Sequence, residues 1–299
     1  MRVFYSDHYE FPLPEGHRFP AKKYRLLREQ LLAERLLAPA ELRKAPRVRR
    51  ETLLRAHAPA YVDAVLGGTL DPKMVRKIGL SQSEGLVDRS LASVGGTLAA
   101  ALAALQDGVA GNLAGGTHHG HVDAGAGYCV FNDAAVTLLE LLARRRIRRA
   151  AIIDLDVHQG DGNAALLGGR PDVYILDVYG QYNFPFTKVP ATRNVPLPDR
   201  TGDDGYLEAL AKPLEDVFEF RPDLVLYQAG VDTLAEDRLG RLSMSLAGLE
   251  ARDERVLAAC RRHGVPVALV LGGGYAHPIE LAVRANVGTY RVLRRVFPR

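Results

Sequence analysis

Ala150-Ala151-Ile152-Ile153-Asp154-Leu155-Asp156-Val157-His158-Gln159-Gly160-Asp161-Gly162 is the stretch from which the fold is read. Its apolar start predicts a strand over Ala150–Val157. Side chains alternate along a strand, so Asp154, Asp156 and His158 fall on one side and Leu155 and Val157 on the other. Two carboxylates and an imidazole on one face are costly to bury unless a cation neutralises them. A metal ion meets that need, although a solvated strand end would also accommodate these residues. Gly160-Asp161-Gly162 then stops the strand and sets a further carboxylate, Asp161, beside the cluster.

Outward from this stretch, strand-like runs recur at Val173–Val178, Leu224–Gly230 and Val265–Leu271, and Met1–Asp7 has a short strand pattern. Leu224-Val225-Leu226 and Val267–Leu271 are apolar on both faces, as in a buried parallel sheet. Helical patterns separate the strands, over Tyr206–Phe218 and Leu246–Arg262, with others at Tyr24–Leu37 and Ser90–Leu105. This alternation predicts an α/β fold, a single domain over 1–299 with a mainly parallel central sheet flanked by helices. No repeat, low-complexity tract or linker divides it. Asp154–His158, Gly230-Val231-Asp232 and Gly272-Gly273-Gly274-Tyr275 each end a strand. The carboxyl edge of an open parallel sheet is where ligands bind, so three segments converge on one crevice.

Composition fits a globular enzyme: 299 residues, 47% hydrophobic and 25% charged. No apolar run approaches the ~20 residues of a membrane span. Met1–Asp7 lacks a signal-peptide core. Cys129 and Cys260 are the only cysteines and form no CxxC, so reduced thiols and a cytoplasmic location are expected. The net charge of +4 comes from short runs around Arg43–Arg50, Arg144–Arg149 and Arg291–Arg299. The Arg144 run follows the helical pattern Ala134–Ala143, where cations complement the helix dipole. No nucleic-acid reading motif or aromatic interleaving accompanies these charges.

Asp156, His158 and Asp232 form a candidate metal-ligand set, since a catalytic zinc takes three protein ligands and keeps one position open. Two carboxylates leave such a dication near neutral, so a separate general base is needed. Gly115-Gly116-Thr117-His118-His119-Gly120 supplies the candidate. Adjacent residues of a strand face opposite ways, so both histidines reach one site only from a loop. A histidine near neutrality suits proton transfer, and Asp154 and Asp161 are the spare carboxylates to orient the two rings. His121 is expected merely nearby; His8, His57, His263 and His277 have no supporting context. Tyr275 follows three glycines and can hydrogen-bond to a carbonyl and then to an oxyanion. No P-loop lysine or full GxGxxG supports a nucleotide site there.

Together, Gly-Gly-Thr-His118-His119, Asp154-Leu-Asp156-Val-His158-Gln-Gly-Asp161-Gly, Ala229-Gly-Val-Asp232 and Gly-Gly-Gly-Tyr275 resemble the zinc-dependent histone deacetylase superfamily, in the family's order. The resemblance runs from Tyr5-Ser6-Asp7-His8 to the Tyr275 loop. With Gly127–Asp133 and Asp177-Val178-Tyr179 it points to bacterial members akin to the class IV branch. It implies an arginase/deacetylase fold and hydrolysis of acetyl or other acyl groups from N-ε-acyl-lysine. It further implies zinc on Asp156, His158 and Asp232, and His119 as main general base and acid with Asp161. His118 would assist with Asp154, and Tyr275 would polarise the acyl carbonyl. Gly127, Tyr128 and Phe184 would wall an acyl-lysine tunnel. Asp154, Asp156, His158, Asp177 and Val178 would hold a potassium ion, several through backbone carbonyls. The donor set also suits Fe(II).

The chain departs from the family pattern in places. Gln159 stands where a second histidine often follows the metal ligand. The loop Ile78–Ser83 lacks an aspartate that grips substrate backbone in many relatives. Leu239 stands where polyamine-selective relatives carry a glutamate, which favours acyl-lysine in a protein or peptide over a polycation. A small N-acyl amine or acetylpolyamine substrate, and a non-catalytic acyl-lysine reader, are the alternatives. An arginase-type site would need an Asp-x-His-x-Asp set that the chain does not contain.

Overall fold

The computed structural model describes residues 1–298; Arg299, part of the last basic run, lies outside them. In chain order the elements are β1 (Arg2–Tyr5), α1 (Lys22–Ala33), β2 (Leu42–Lys44), α2 (Arg50–Leu53), α3 (Pro59–Leu66), α4 (Pro72–Ile78), α5 (Glu84–Asp107), β3 (Val109–Asn112), α6 (Asp133–Ala143) and β4 (Ala150–Asp154). Then follow α7 (Asp161–Leu167), β5 (Val173–Gly180), β6 (Arg193–Leu197), α8 (Asp203–Glu219), β7 (Leu224–Gln228), α9 (Leu246–His263), β8 (Val267–Val270) and α10 (Ile279–Val296).

The strands form one sheet in the order β2-β1-β3-β8-β7-β4-β5-β6. Every pairing is parallel, so the expectation of a mainly parallel sheet is met in full. Alternate strand residues feed two cores. Ala151, Ile153, Val225, Tyr227 and Leu269 pack with Leu27 and Leu31 of α1 and with α8, α9 and α10. Ala150, Ile152, Leu224, Leu226 and Ala268 pack with α3, α5 and α6 on the other face. Helices on both faces hide the central strands, which is why β4, β5, β7 and β8 read as apolar runs.

Helix ends follow local chemistry. The Ser83 hydroxyl accepts from Leu86 N at the start of α5, Asn132 from Ala135 N at α6, and Ser245 from Gly248 N at α9. Arg144 sits at the end of α6 and pairs with Glu140, consistent with a structural role for that basic run. Cys129 and Cys260 are free and buried. No helix among the described residues is long and apolar enough to cross a membrane.

Two corrections bear on the site. β4 stops at Asp154, not at Val157, and residues 155–160 form the turn beyond it. Parallel register then sets Asp154 beside Asp177 of β5 and Gln228 of β7. The turn still drives Leu155 and Val157 into the core and leaves Asp156 and His158 at the sheet edge. Second, β3 precedes the His118-His119 loop, so four strand ends, not three, converge on the crevice.

Candidate active site

At the carboxyl edge, Asp156, His158 and Asp232 come together, with all three ligand atoms within 4.8 Å of one another. His158 Nδ1 lies 3.0 Å from Asp156 Oδ1 and 3.1 Å from Asp232 Oδ2. Ligand atoms about 2 Å from one tetrahedral ion sit roughly 3.3 Å apart, so the spacing suits a single cation. The remaining oxygens are held by backbone: Gly273 N donates to Asp156 Oδ2 at 2.6 Å and Val157 N to Asp232 Oδ1 at 2.9 Å. Such outer contacts fix ligand orientation. Burial and the nearby Asp156 raise the Asp232 pKa to about 7, a crowding that a bound dication relieves. Gly273 is required here, because a Cβ would stand 1.8 Å from Asp232 Oδ2.

The two adjacent histidines reach the site from an irregular loop, as their spacing predicts. His118 Nδ1 lies 2.9 Å from Asp154 Oδ2, and His119 Nδ1 lies 2.6 Å from Asp161 Oδ1. Each ring is therefore oriented through Nδ1 by its own carboxylate. Their charge environments differ. Burial opposes a charged His118, but Asp154 and Asp156 overcome it and raise its pKa to about 10. Burial lowers His119 to about 3, with His118 adding repulsion. The neutral ring at pH 7 is the one able to accept a proton.

Tyr275 stands across the cavity, its ring 6.3 Å from that of His158. Burial, with the negative charges of Asp156 and Asp232, holds its phenol well above the usual range, so it remains an O–H donor. The cavity measures about 460 Å³ and is lined by these groups with Gly127, Tyr128, Phe184 and Leu239. The Phe184 ring meets the His119 ring edge-on at 4.9 Å. Gly127, at φ +51°, lies flat on His119; a Cβ there would come within 2.7 Å of the ring. Val178 lies in the interior of β5, buried and in register with Val195 of β6. Asp177 accepts from Gly160 N at 2.9 Å through Oδ2, while its buried Oδ1 has no partner.

A model of the histone deacetylase domain matches residues 17–288. The chain belongs to the histone deacetylase family. An uncharacterized protein of Picosynechococcus sp. is 43% identical over 99% of both chains. The structure of a histone deacetylase homologue from Aquifex aeolicus superposes with a TM-score of 0.82 at 26% identity, covering 100% of this chain and 84% of that one. An acetylpolyamine aminohydrolase from Burkholderia pseudomallei shares the fold, with a TM-score of 0.79, 19% identity and 99% coverage of both chains. The match spans 48% to 59% of the length of the plant and human histone deacetylases that the chain resembles.

Several further residues hold this site together, and the sequence does not mark them. Asp133 accepts from the backbone nitrogens of Gly116 and Thr117 and from both threonine hydroxyls, Thr97 and Thr117, pinning the histidine loop. Asp237 accepts from Tyr275 N at 2.6 Å and from Leu239 N and Gly240 N, tying the Tyr275 loop to the next. The Gln228 amide lies 2.8 Å from His118 Nδ1. His121 is more than a neighbour: its Nε2 lies 2.9 Å from Asp161 Oδ2, so it shares the carboxylate that orients His119.

His57 also has context that its sequence position did not reveal. Nδ1 lies 2.8 Å from His121 O, and Nε2 accepts from Asn132 N at 3.0 Å. One nitrogen donates and the other accepts, so the ring is neutral. Burial lowers its pKa to about 4 from 6.5. Its contribution to stability, on the order of 3 kcal/mol, is complete above the unfolded pKa and is lost as pH falls toward the folded one. Urea unfolding at several pH values is expected to show a steeper acid loss in the native protein than in His57→Gln. Parallel pH slopes would contradict this.

Proposed function

We propose that this protein is a metal-dependent amidohydrolase that removes acetyl or related acyl groups from N-ε-acyl-lysine in proteins or peptides. The observation that carries the reading is the pairing of His119 Nδ1 with Asp161 beside the Asp156–His158–Asp232 cluster. It leaves His119 Nε2 as the free nitrogen of a ring neutral at pH 7. Zinc fits the donor set, with Fe(II) the second choice. When bound, the metal supplies a Lewis acid for the acyl carbonyl and lowers the pKa of water at the site.

The chain's own groups do the rest. His119 Nε2 takes the proton of the attacking water, and Asp161 steadies the resulting imidazolium through Nδ1. The Tyr275 hydroxyl donates to the carbonyl oxygen as charge develops on it. His118, held by Asp154, contributes positive charge beside the same oxygen. The proton then passes from the histidine pair to the departing lysine nitrogen. Gly127, Tyr128 and Phe184 leave a slot for a narrow aliphatic stem and exclude water from it. The partnerless Asp177 Oδ1, in register beside Asp154, fits a monovalent cation such as potassium. Two free, buried thiols support a reducing, cytoplasmic setting.

Related proteins include both a deacetylase homologue and an acetylpolyamine aminohydrolase, so the amine side is read from this chain's own residues. Leu239 on the cavity wall offers no anion to a second ammonium, which supports acyl-lysine. The test is a rate comparison on an acetyl-lysine peptide and acetylspermidine, with zinc-loaded and metal-stripped protein. Metal-dependent turnover of the peptide, at least tenfold faster, is expected. Faster acetylspermidine turnover would overturn the substrate assignment, and tight peptide binding without product would turn the reading to a non-catalytic reader.

A further inference from the structure

The cavity wall carries a single carboxylate, Asp156, on its floor. Apart from histidines, its other charged side chains are Arg18 and Arg241, both exposed. Arg238, also exposed, stands with them: its Nε donates to Tyr275 O at 3.1 Å. Arg18 and Arg238 both bring positive charge to the Tyr128 phenol. Among the described residues Arg18 makes no hydrogen bond or ion pair. Arg241 pairs through Nη2 with Asp199 at 2.9 Å, and Asp199 does not line the cavity. Glu236, next to Asp237, does not line it either. The Ile78–Ser83 loop brings no acid to the mouth, and its Gln82 amide turns inward to Ala64 O.

Beside the arginines lies an aromatic shelf. Tyr182, Phe184 and Phe186 all line the cavity, with 56%, 36% and 86% of their surface exposed. Three exposed aromatics at one mouth form an apolar patch of the kind that marks an interaction surface. The shelf and the cations together are more than a single acylated amine would cover.

We infer that the mouth selects acyl-lysines that lie in acidic protein segments, with carboxylates beside the modified lysine and an apolar residue on the Phe186 shelf. The inference rests on the acyl-lysine reading and names the substrate class within it. Carboxylates flanking the lysine meet guanidinium groups that have spare donors. A cationic segment, or a polyamine's distal ammonium, meets like charge. Since the arginines are exposed, the effect acts mainly on encounter and weakens as salt is added.

The test uses three acetyl-lysine peptides of equal length, flanked by aspartate, glutamine or arginine, with a phenylalanine at a fixed distance. Two readouts are taken with the full chain: kcat/KM of the zinc-loaded enzyme, and affinity for Tyr275→Phe by fluorescence anisotropy. Acidic over neutral over basic is expected in both, spanning about tenfold at low salt and narrowing at high salt. The double reversal R18E/R241E should invert the order, while R295E, at the far end of α10, should leave it unchanged. Equal peptides, a basic preference, or an order that survives R18E/R241E would overturn the inference. The peptide series on the native enzyme decides the matter even if the double variant fails to fold. Equal turnover of all three peptides sinks this inference alone. Turnover of acetylspermidine with none of any peptide sinks the acyl-lysine reading and this inference with it.

Discussion

Tyr275→Phe is expected to lower kcat by roughly 10²–10³ while leaving metal content unchanged, the range seen when one oxyanion donor is removed. The candidate ligand set Asp156, His158 and Asp232 is complete without the hydroxyl, so its loss leaves that cluster intact. The ring should also stay in place. Its backbone is fixed from both sides, with Tyr275 N donating to Asp237 Oδ2 at 2.6 Å and Arg238 Nε donating to Tyr275 O at 3.1 Å. The loss therefore belongs to the transition state, and KM should change little. Steady-state kinetics with metal analysis on the same preparation checks this. Full turnover by a zinc-replete variant would remove Tyr275 from the mechanism.

Arg252→Ala should be the costliest single change to stability, at about 3–5 kcal/mol, because it strands a buried carboxylate. Arg252 is fully buried on α9 and pairs with Asp253 at 2.8 Å. Its Nη1 also donates to Leu155 O at 3.1 Å and Gly230 O at 2.7 Å. These carbonyls belong to the turns that follow β4 and β7, one residue before Asp156 and two before Asp232. One guanidinium thus clamps the two segments that deliver the metal ligands. Asp253 in turn accepts from the Tyr227 hydroxyl at 2.5 Å. Urea unfolding should show a large drop in midpoint with little change in slope. The double variant Arg252→Met/Asp253→Asn should recover part of the loss, because no buried charge is left unpaired. A native-like midpoint for Arg252→Ala would contradict this account of α9.

The central strands and the chemical groups at their ends were legible because burial on both faces writes long apolar runs. β4, β5, β7 and β8 are legible this way, with ends that differ by one to three residues. β3 was not, since Val109-Ala110-Gly111-Asn112 is short and contains a glycine. Edge strand β6 carries Arg193, Asn194 and Pro196, so it has no apolar signature. α10 was visible only as a basic run, although its opposite side is buried.

Within the site, Asp156, His158, Asp232 and the two histidines were legible because their spacing is local or falls at strand ends. Counting spare carboxylates singles out Asp154 and Asp161 as partners of the histidines, and the family resemblance assigns Asp154 to His118 and Asp161 to His119, the pairs seen in the structure. Asp133, Asp237, Gln228 and Arg252 were not legible. Each acts on backbone or a ring more than fifteen residues away in sequence or from another element, and nothing near it in sequence marks that partner. The sequence places His121 only nearby, because its shared contact with Asp161 depends on the fold of the loop.

The measurement that bears most directly on the central proposal is mass spectrometry of an acetyl-lysine peptide incubated in ¹⁸O-labelled water. Zinc-loaded protein should release acetate carrying one label from solvent and leave the free lysine peptide, and the metal-stripped control should release none. Absence of acetate with zinc bound at the Asp156–His158–Asp232 cluster, or equal release without metal, would contradict it.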